Sequence, residues 1–181
     1  MAADLPLIRL PETLTDGVLV LDAHRIEDAE AHLAGEDDEM RRRFDSLRPA
    51  TLEETRGAMA RWMAQRAAGG PQFAYAARLD GVLIGGCELR MLTPAAANIS
   101  YWLAWNHRGR GHATRAVALL CDAAAAIDGL EAIEAHVAPD NLASRRLAER
   151  SGFIESGTVE EAAWHGAIST MVRYVRRLAR R

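Results

Sequence analysis

Between Asn98–Trp105, which reads as a strand, and an alanine-rich helical run from about His112 to Ile127, stands the segment Arg108-Gly109-Arg110-Gly111-His112-Ala113. That order constrains the chain more than any other feature. A strand turning through two glycines into a helix builds an anion site: glycine lets backbone approach a ligand, and the first helical amides point outward with partial positive charge. The expected ligand is a phosphate group. A Walker loop is excluded, because Thr114 and Arg115 follow Ala113 where a Lys-Ser/Thr pair would have to stand. A dinucleotide fingerprint fits less well. It needs glycine at Thr114 and an acid about 20 residues on, ending the second strand, whereas Glu131 begins that strand. An ordinary tight turn with solvated arginines has the same two glycines, so the segment alone leaves that reading open.

The rest of the chain supplies a sheet around this unit. Gly17 to Leu21 reads as a strand, and Asp22 as the cap of an amphipathic segment carrying Ile26, Ala29 and Leu33 on one face. The acidic run Glu36 to Glu39 and the basic run Arg41 to Arg43 read as a solvated helix end. Thr51 with Glu54 is a capping box opening a helix that sends Met59, Trp62 and Met63 inward and ends near Gly69-Gly70-Pro71. Phe73–Leu79 and Val82–Leu89 are strands joined by Asp80-Gly81, a dipeptide suited to a tight hairpin. Strands over Glu131–Val137, from Phe153 and over Ala167–Val175 follow, with a helix over Asn141–Arg150 closed by Gly152 and a turn at Trp164-His165-Gly166. The order, without repeats or a low-complexity linker, predicts a single mixed α/β domain over 1–181, its core at roughly 18–176.

Composition removes several classes of function. A length of 181 residues is enough to bury a core without disulfides or metals. The net charge of −3 gives no footprint for nucleic acid, and the basic tail Arg176-Arg177-Leu178-Ala179-Arg180-Arg181 reads as a solvated end. No run approaches the roughly 20 apolar residues of a membrane span, and the start lacks a signal peptide's basic region, so a soluble cytoplasmic protein is expected. Cys87 and Cys121 fall within a predicted strand and helix, as small core residues. His107, His112, His136 and His165 have no partner at metal-ligand spacing, so no metal is expected. His136, on the fifth predicted strand, is the one that could carry a proton.

Three linked segments resemble the GCN5-related N-acetyltransferases (GNAT), and within them the RimJ/RimL-like branch that acetylates ribosomal proteins. Ile99-Ser100-Tyr101-Trp102-Leu103 looks like the family's fourth strand. Arg108 to Ala113 matches its Arg/Gln-x-x-Gly-x-Gly/Ala loop, and Asn141-x-x-Ser144-x-x-Leu147-x-Glu149-x-x-Gly152-Phe153 its following helix. The similarity is specific over 99–153. It implies a mostly antiparallel sheet, flanked by helices, whose fourth and fifth strands splay apart. Acetyl-CoA would lie in the gap, its pantetheine arm pairing with backbone at Leu103, Ala104 and Trp105. Its pyrophosphate would sit on amides of Arg108, Gly109, Arg110, Gly111, His112 and Ala113. Asn141 would contact the cofactor, although a plain N-cap explains that residue equally.

Attack of an amine on a thioester needs a free lone pair, a stabilised oxyanion and a proton for the thiolate. The resemblance assigns the oxyanion to a backbone amide near Leu103. Many members carry a tyrosine where this chain has Ala148, which moves the acid's role to Ser144; a first-turn serine with no role is the alternative. Related sequences often carry glutamate where Asn98 stands, leaving Glu88 as the candidate base, against the reading of a solvent-facing strand carboxylate. An α-amine titrating near about 8 needs less help than a lysine at about 10.4. The expected acceptor is therefore a peptide N-terminus or small-molecule amine, taken by a monomer or homodimer. A non-catalytic acyl-CoA binding or sensing module is the competing function, and a nicotinamide-binding domain a third.

Overall fold

The computed structural model describes residues 7–43, 48–162 and 168–178. The expected turn at Trp164-His165-Gly166, the Ala167 strand start and the last three residues of the tail lie outside that range. Eight strands form one sheet: β1 (Leu14–Thr15), β2 (Leu19–Asp22), β3 (Gln72–Leu79), β4 (Val82–Thr93), β5 (Ala96–Leu103), β6 (Ala132–Val137), β7 (Ile154–Ala162) and β8 (Ile168–Arg177), in the order β1-β2-β3-β4-β5-β6-β8-β7. Every pairing is antiparallel except β5 with β6. The two-residue β1 was not foreseen, so the predicted fourth and fifth strands are β5 and β6. The helices are α1 (Ala29–Gly35), α2 (Asp38–Arg43), α3 (Leu52–Ala67), α4 (His112–Ala124) and α5 (Leu142–Arg150).

Alternation along the strands divides the side chains between two layers. Leu19, Leu21, Tyr75, Cys87, Leu89, Ile99 and Ile133 pack with α4, whose Ala116, Val117, Leu120, Cys121 and Ala124 are all buried at helical spacing. α5 lies on the same face, against β6 and β7, while α3 and α1 cover β3 and β4 from the other side. On that second face α1 reaches β5 only at its end, where His32 packs on Trp102 with ring centroids 4.4 Å apart, and among the described residues no helix packs substantially over β6, β8 and β7. The protein thus has one helix-backed face and one half-open face. Burial pushes the Cys121 thiol up to about 11 and Cys87 higher still, so both remain neutral core thiols.

Local signals held where they were backbone signals. Thr51 Oγ1 accepts from the Glu54 amide at 3.2 Å and Glu54 Oε2 accepts from the Thr51 amide at 2.8 Å, a cap worth about 1 kcal/mol. Asp80 and Gly81 take φ of 50° and 79° in the hairpin. Side-chain placements needed correction. Asp22 ends β2 instead of capping a helix, and accepts from Arg78 Nε and Arg25 Nη2 at 2.7 and 2.8 Å. Of the expected face of Ile26, Ala29 and Leu33 only Ala29 is buried, together with His32 and Gly35, while Ile26 and Leu33 are half-buried. Met59 is fully buried, but Met63 points outward at 41% exposure. The third long strand stops at Leu103 and the alanine-rich helix at Ala124, short of Trp105 and Ile127. Arg176 and Arg177 belong to β8 and are no free tail.

Candidate active site

β5 and β6 pair over only three positions, Ala96 with Ala132, Ala97 with Ile133 and Asn98 with Glu134. Beyond them β5 stays on β4 as far as Leu103, and β6 stays on β8 as far as Val137. The sheet forks there. Ala104 N donates to Ile84 O at 2.9 Å, so by antiparallel alternation Trp102 and Ser100 also bond toward β4. The amides of Leu103 and Tyr101 therefore face the fork. The Leu103 amide opens on the gap, while its carbonyl already accepts Arg108 Nε at 3.0 Å. Ala104 is not available for pairing: its amide serves Ile84 and its carbonyl accepts from His107 N at 2.9 Å. Trp105 has left the strand for a 3-10 turn and is 62% exposed.

At the end of the fork lies the glycine loop. Gly109 and Gly111 take φ of 75° and 82°, with open space where a Cβ would be. Among the described residues the amides of Gly109 through Thr114 have no hydrogen-bond acceptor. They stand at the N-terminus of α4, where its partial positive charge collects. The Arg108 side chain does something else: it clamps Asp37 with two bonds of 2.8 and 2.9 Å and holds that carboxyl below its usual range. The acidic run is thus part of the site's frame and not merely a solvated helix end. Arg110 stays exposed beside the free amides.

On the same helix-backed side, Asn141 Oδ1 accepts from the Ser144 amide at 3.1 Å, the plain N-cap. Ser144 is half-buried, and its carbonyl accepts from the Tyr101 hydroxyl at 3.4 Å. Burial raises the Tyr101 pKa, which keeps that phenol protonated beside Ser144. Ala148, which stands where many family members carry a tyrosine, is 1% exposed in the core.

A model of the acetyltransferase (GNAT) domain matches residues 19–154. The chain belongs to the GNAT family. The probable N-acetyltransferase YjcK of Bacillus subtilis is 41% identical over 81 residues, 43% of this chain and 45% of that protein, so the match spans under half of that relative's length. Among solved structures, a Salmonella typhimurium acetyltransferase described as modifying the N-terminal serine of ribosomal protein L7/L12 superposes with a TM-score of 0.80 at 21% identity. The superposition covers 93% of this chain and all of that one. Mycobacterium smegmatis RimJ, solved with a CoA disulfide, gives 0.71 at 24% identity over 94% of this chain and 85% of its own.

The half-open face of this GNAT fold carries side chains that the motifs did not mark. By strand alternation Glu88, Asn98, Ser100, Glu134 and His136 share it. Glu88 accepts a hydrogen bond from Gln72 Nε2, and burial raises its carboxyl pKa against that bond. His136 bridges two carboxylates, Nδ1 to Glu161 at 2.5 Å and Nε2 to Glu134 at 2.9 Å. Arg173 Nε donates to Glu134 at 2.7 Å and Arg90 Nη2 stands 3.9 Å from Glu161. The Arg173 hydrogen bond leads in lowering Glu134 to about 2, and His136 leads in lowering Glu161. Burial opposes a charge on His136, but its bonds to Glu161 and Glu134 raise its pKa. Glu134, Glu161 and Arg173 went unread in the sequence. The available signal was Glu134-x-His136, two polar residues at spacing two in the otherwise apolar β6. A shallow cavity of about 380 Å³ beside them is lined by Glu134, Arg173 and Ile154, among others.

Proposed function

We propose that this chain transfers the acetyl group of acetyl-CoA directly to a primary amine within a ternary complex. The observation that carries the reading is the run of unpartnered amides from Gly109 to Thr114 at the head of α4, beside the fork of β5 and β6. These amides suit a pyrophosphate, with Arg108 buttressing the loop and Arg110 left for phosphate charge. The Leu103 amide faces the position where a thioester oxygen would gain charge. Asn141, beyond capping α5, keeps its side-chain NH₂ for the cofactor.

The fork separates two proton tasks by face. Ser144, from the helix-backed side, protonates the departing thiolate. A carboxylate on the half-open side receives the amine's proton, with Glu88 on β4 and Glu161 on β7 both on that face. The acceptor is a protein N-terminal α-amine or a small amine, because an amine with pKa near about 8 is already partly free at neutral pH. The Salmonella protein's described substrate supports the first of these. Buried, reduced Cys87 and Cys121 suit a cytoplasmic enzyme.

Ala148 keeps a second reading in play, a binding module that senses acyl-CoA without turnover. Thiol release from acetyl-CoA, measured with α-amino peptides, lysine peptides and small amines, decides between them. Turnover with intersecting double-reciprocal lines is expected. Tight acetyl-CoA binding without thiol release for any amine would replace the enzyme by the sensor, and stabilisation by NAD instead would replace both.

A further inference from the structure

We infer that His136 is a positioning residue for proton removal: it aligns Glu161 beside the fork and holds the acceptor's proton, taken from that carboxylate, until Glu161 returns it to solvent. The inference rests on the acetyl-transfer reading and deepens it. Continuing the β5–β6 register past Asn98 and Glu134 makes Ser100 the counterpart of His136, two residues beyond the last paired ones. His136 therefore stands where the strands part, on the half-open face, while Ser144 lies on the opposite face.

The surroundings of His136 are fully charged. Its own strand contributes Glu134, β7 contributes Glu161, β8 contributes Arg173 and β4 contributes Arg90. An imidazole meeting a carboxylate at each ring nitrogen donates from both, so the resting ring is an imidazolium. Glu134 is held by both His136 and Arg173 and acts as a fixed counter-ion. Glu161 differs: Oε1 meets His136, and among the described residues Oε2 has no hydrogen-bond donor. That oxygen can receive an ammonium.

The proton balance follows from this arrangement. Of the acceptor ammonium's three protons, one stays on the amide nitrogen, one ends on the thiol and one must leave. With His136 neutral, Glu161 Oε2 takes that third proton, the carboxylic acid turns to hand it to His136 Nδ1, and once the amide product has left it returns through Glu161, the more exposed side chain of the pair at 30% against 6%, to water. The amine's lone pair forms the N–C bond as the C–S bond breaks. An imidazolium cannot accept, so turnover rises with pH as His136 loses its proton. Its two carboxylate partners place that transition above the ordinary 6.5.

The test joins NMR titration of the His136 ring to pH–rate profiles of wild type, His136→Gln and Glu161→Gln. The ring should titrate above 6.5 in wild type and lower in Glu161→Gln; a ring unmoved by that substitution overturns the coupling without reference to turnover. The glutamine at 136 should lower kcat on the order of 10²-fold with KM for acetyl-CoA unchanged. The acceptor's own titration is common to both enzymes, so the wild-type to variant rate ratio should bend at the pH where the ring titrates. A flat ratio overturns the relay and leaves acetyl transfer standing. Glu161→Gln, altered on an outer strand, should lose the same bend, and a retained bend overturns the relay even if His136→Gln folds poorly. Absence of thiol release from wild type with every amine overturns both readings.

Discussion

The two sides of the β5–β6 fork are built by different means. On the helix-backed side the site is contiguous backbone: the Gly109–Thr114 amides and the Asn141-capped start of α5. On the half-open side it is side chains drawn from β4, β6, β7 and β8, held by ion pairs among Glu134, His136, Glu161 and Arg173. Backbone sites need particular residues only where a turn or a cap requires them, so they leave a motif. Side-chain sites assembled across a sheet leave single letters tens of residues apart.

The largest expected effect concerns the second side's foundations. His24 and His32 lie buried against Trp62 and Trp102 beneath α1 and α3, and burial lowers each pKa to about 4 from 6.5. Above 6.5 neither the folded nor the unfolded state carries these charges, and stability is unaffected. Below it the unfolded chain binds protons that the fold refuses, so stability falls through the window from 6.5 to 4 and the penalty is complete beneath it. Between them the two histidines should cost a few kcal/mol, read by urea unfolding at stepped pH. His32→Phe should flatten the curve, and an unchanged slope would show that they do not control acid stability.

Ser144→Ala tests the division of labour across the fork. A kcat loss of about 10²-fold is expected, with acetyl-CoA affinity retained because the cap comes from Asn141 Oδ1. Full turnover would remove Ser144 from the chemistry and point to the neighbouring Tyr101 phenol. Gly111→Val probes the backbone side alone: a β-branched residue at φ 82° costs roughly 1–2 kcal/mol and should weaken acetyl-CoA binding by about tenfold in calorimetry. The smallest effect belongs to Arg108 and Asp37. Each alanine variant should lower cofactor affinity severalfold, with the double variant little worse, a coupling of about 1 kcal/mol or less. Tighter binding by Asp37→Ala would mean that Arg108 is a phosphate ligand held back by its partner.

Much of the first side was legible in the sequence because its determinants are local. Two glycines between strand and helix, Asn141 three residues before Ser144, and Asp80-Gly81 in the hairpin each act within a few residues. The Arg108 side chain went unread for the opposite reason. Its partner Asp37 lies 71 residues away, so neither the guanidinium's destination nor the acidic run's purpose could be seen locally. The same holds for Ala104, whose availability depended on the β4 carbonyl it meets.

By itself, then, the sequence determined the order of the longer elements and the glycine turn at the head of α4, because backbone geometry and helix ends answer to neighbouring residues, while the fork came only with the family resemblance. Only the tertiary structure decided which charges meet on the half-open face. His136 gains its two carboxylates through pairings of β6 with β8 and β8 with β7, and such non-local contacts are set by strand register.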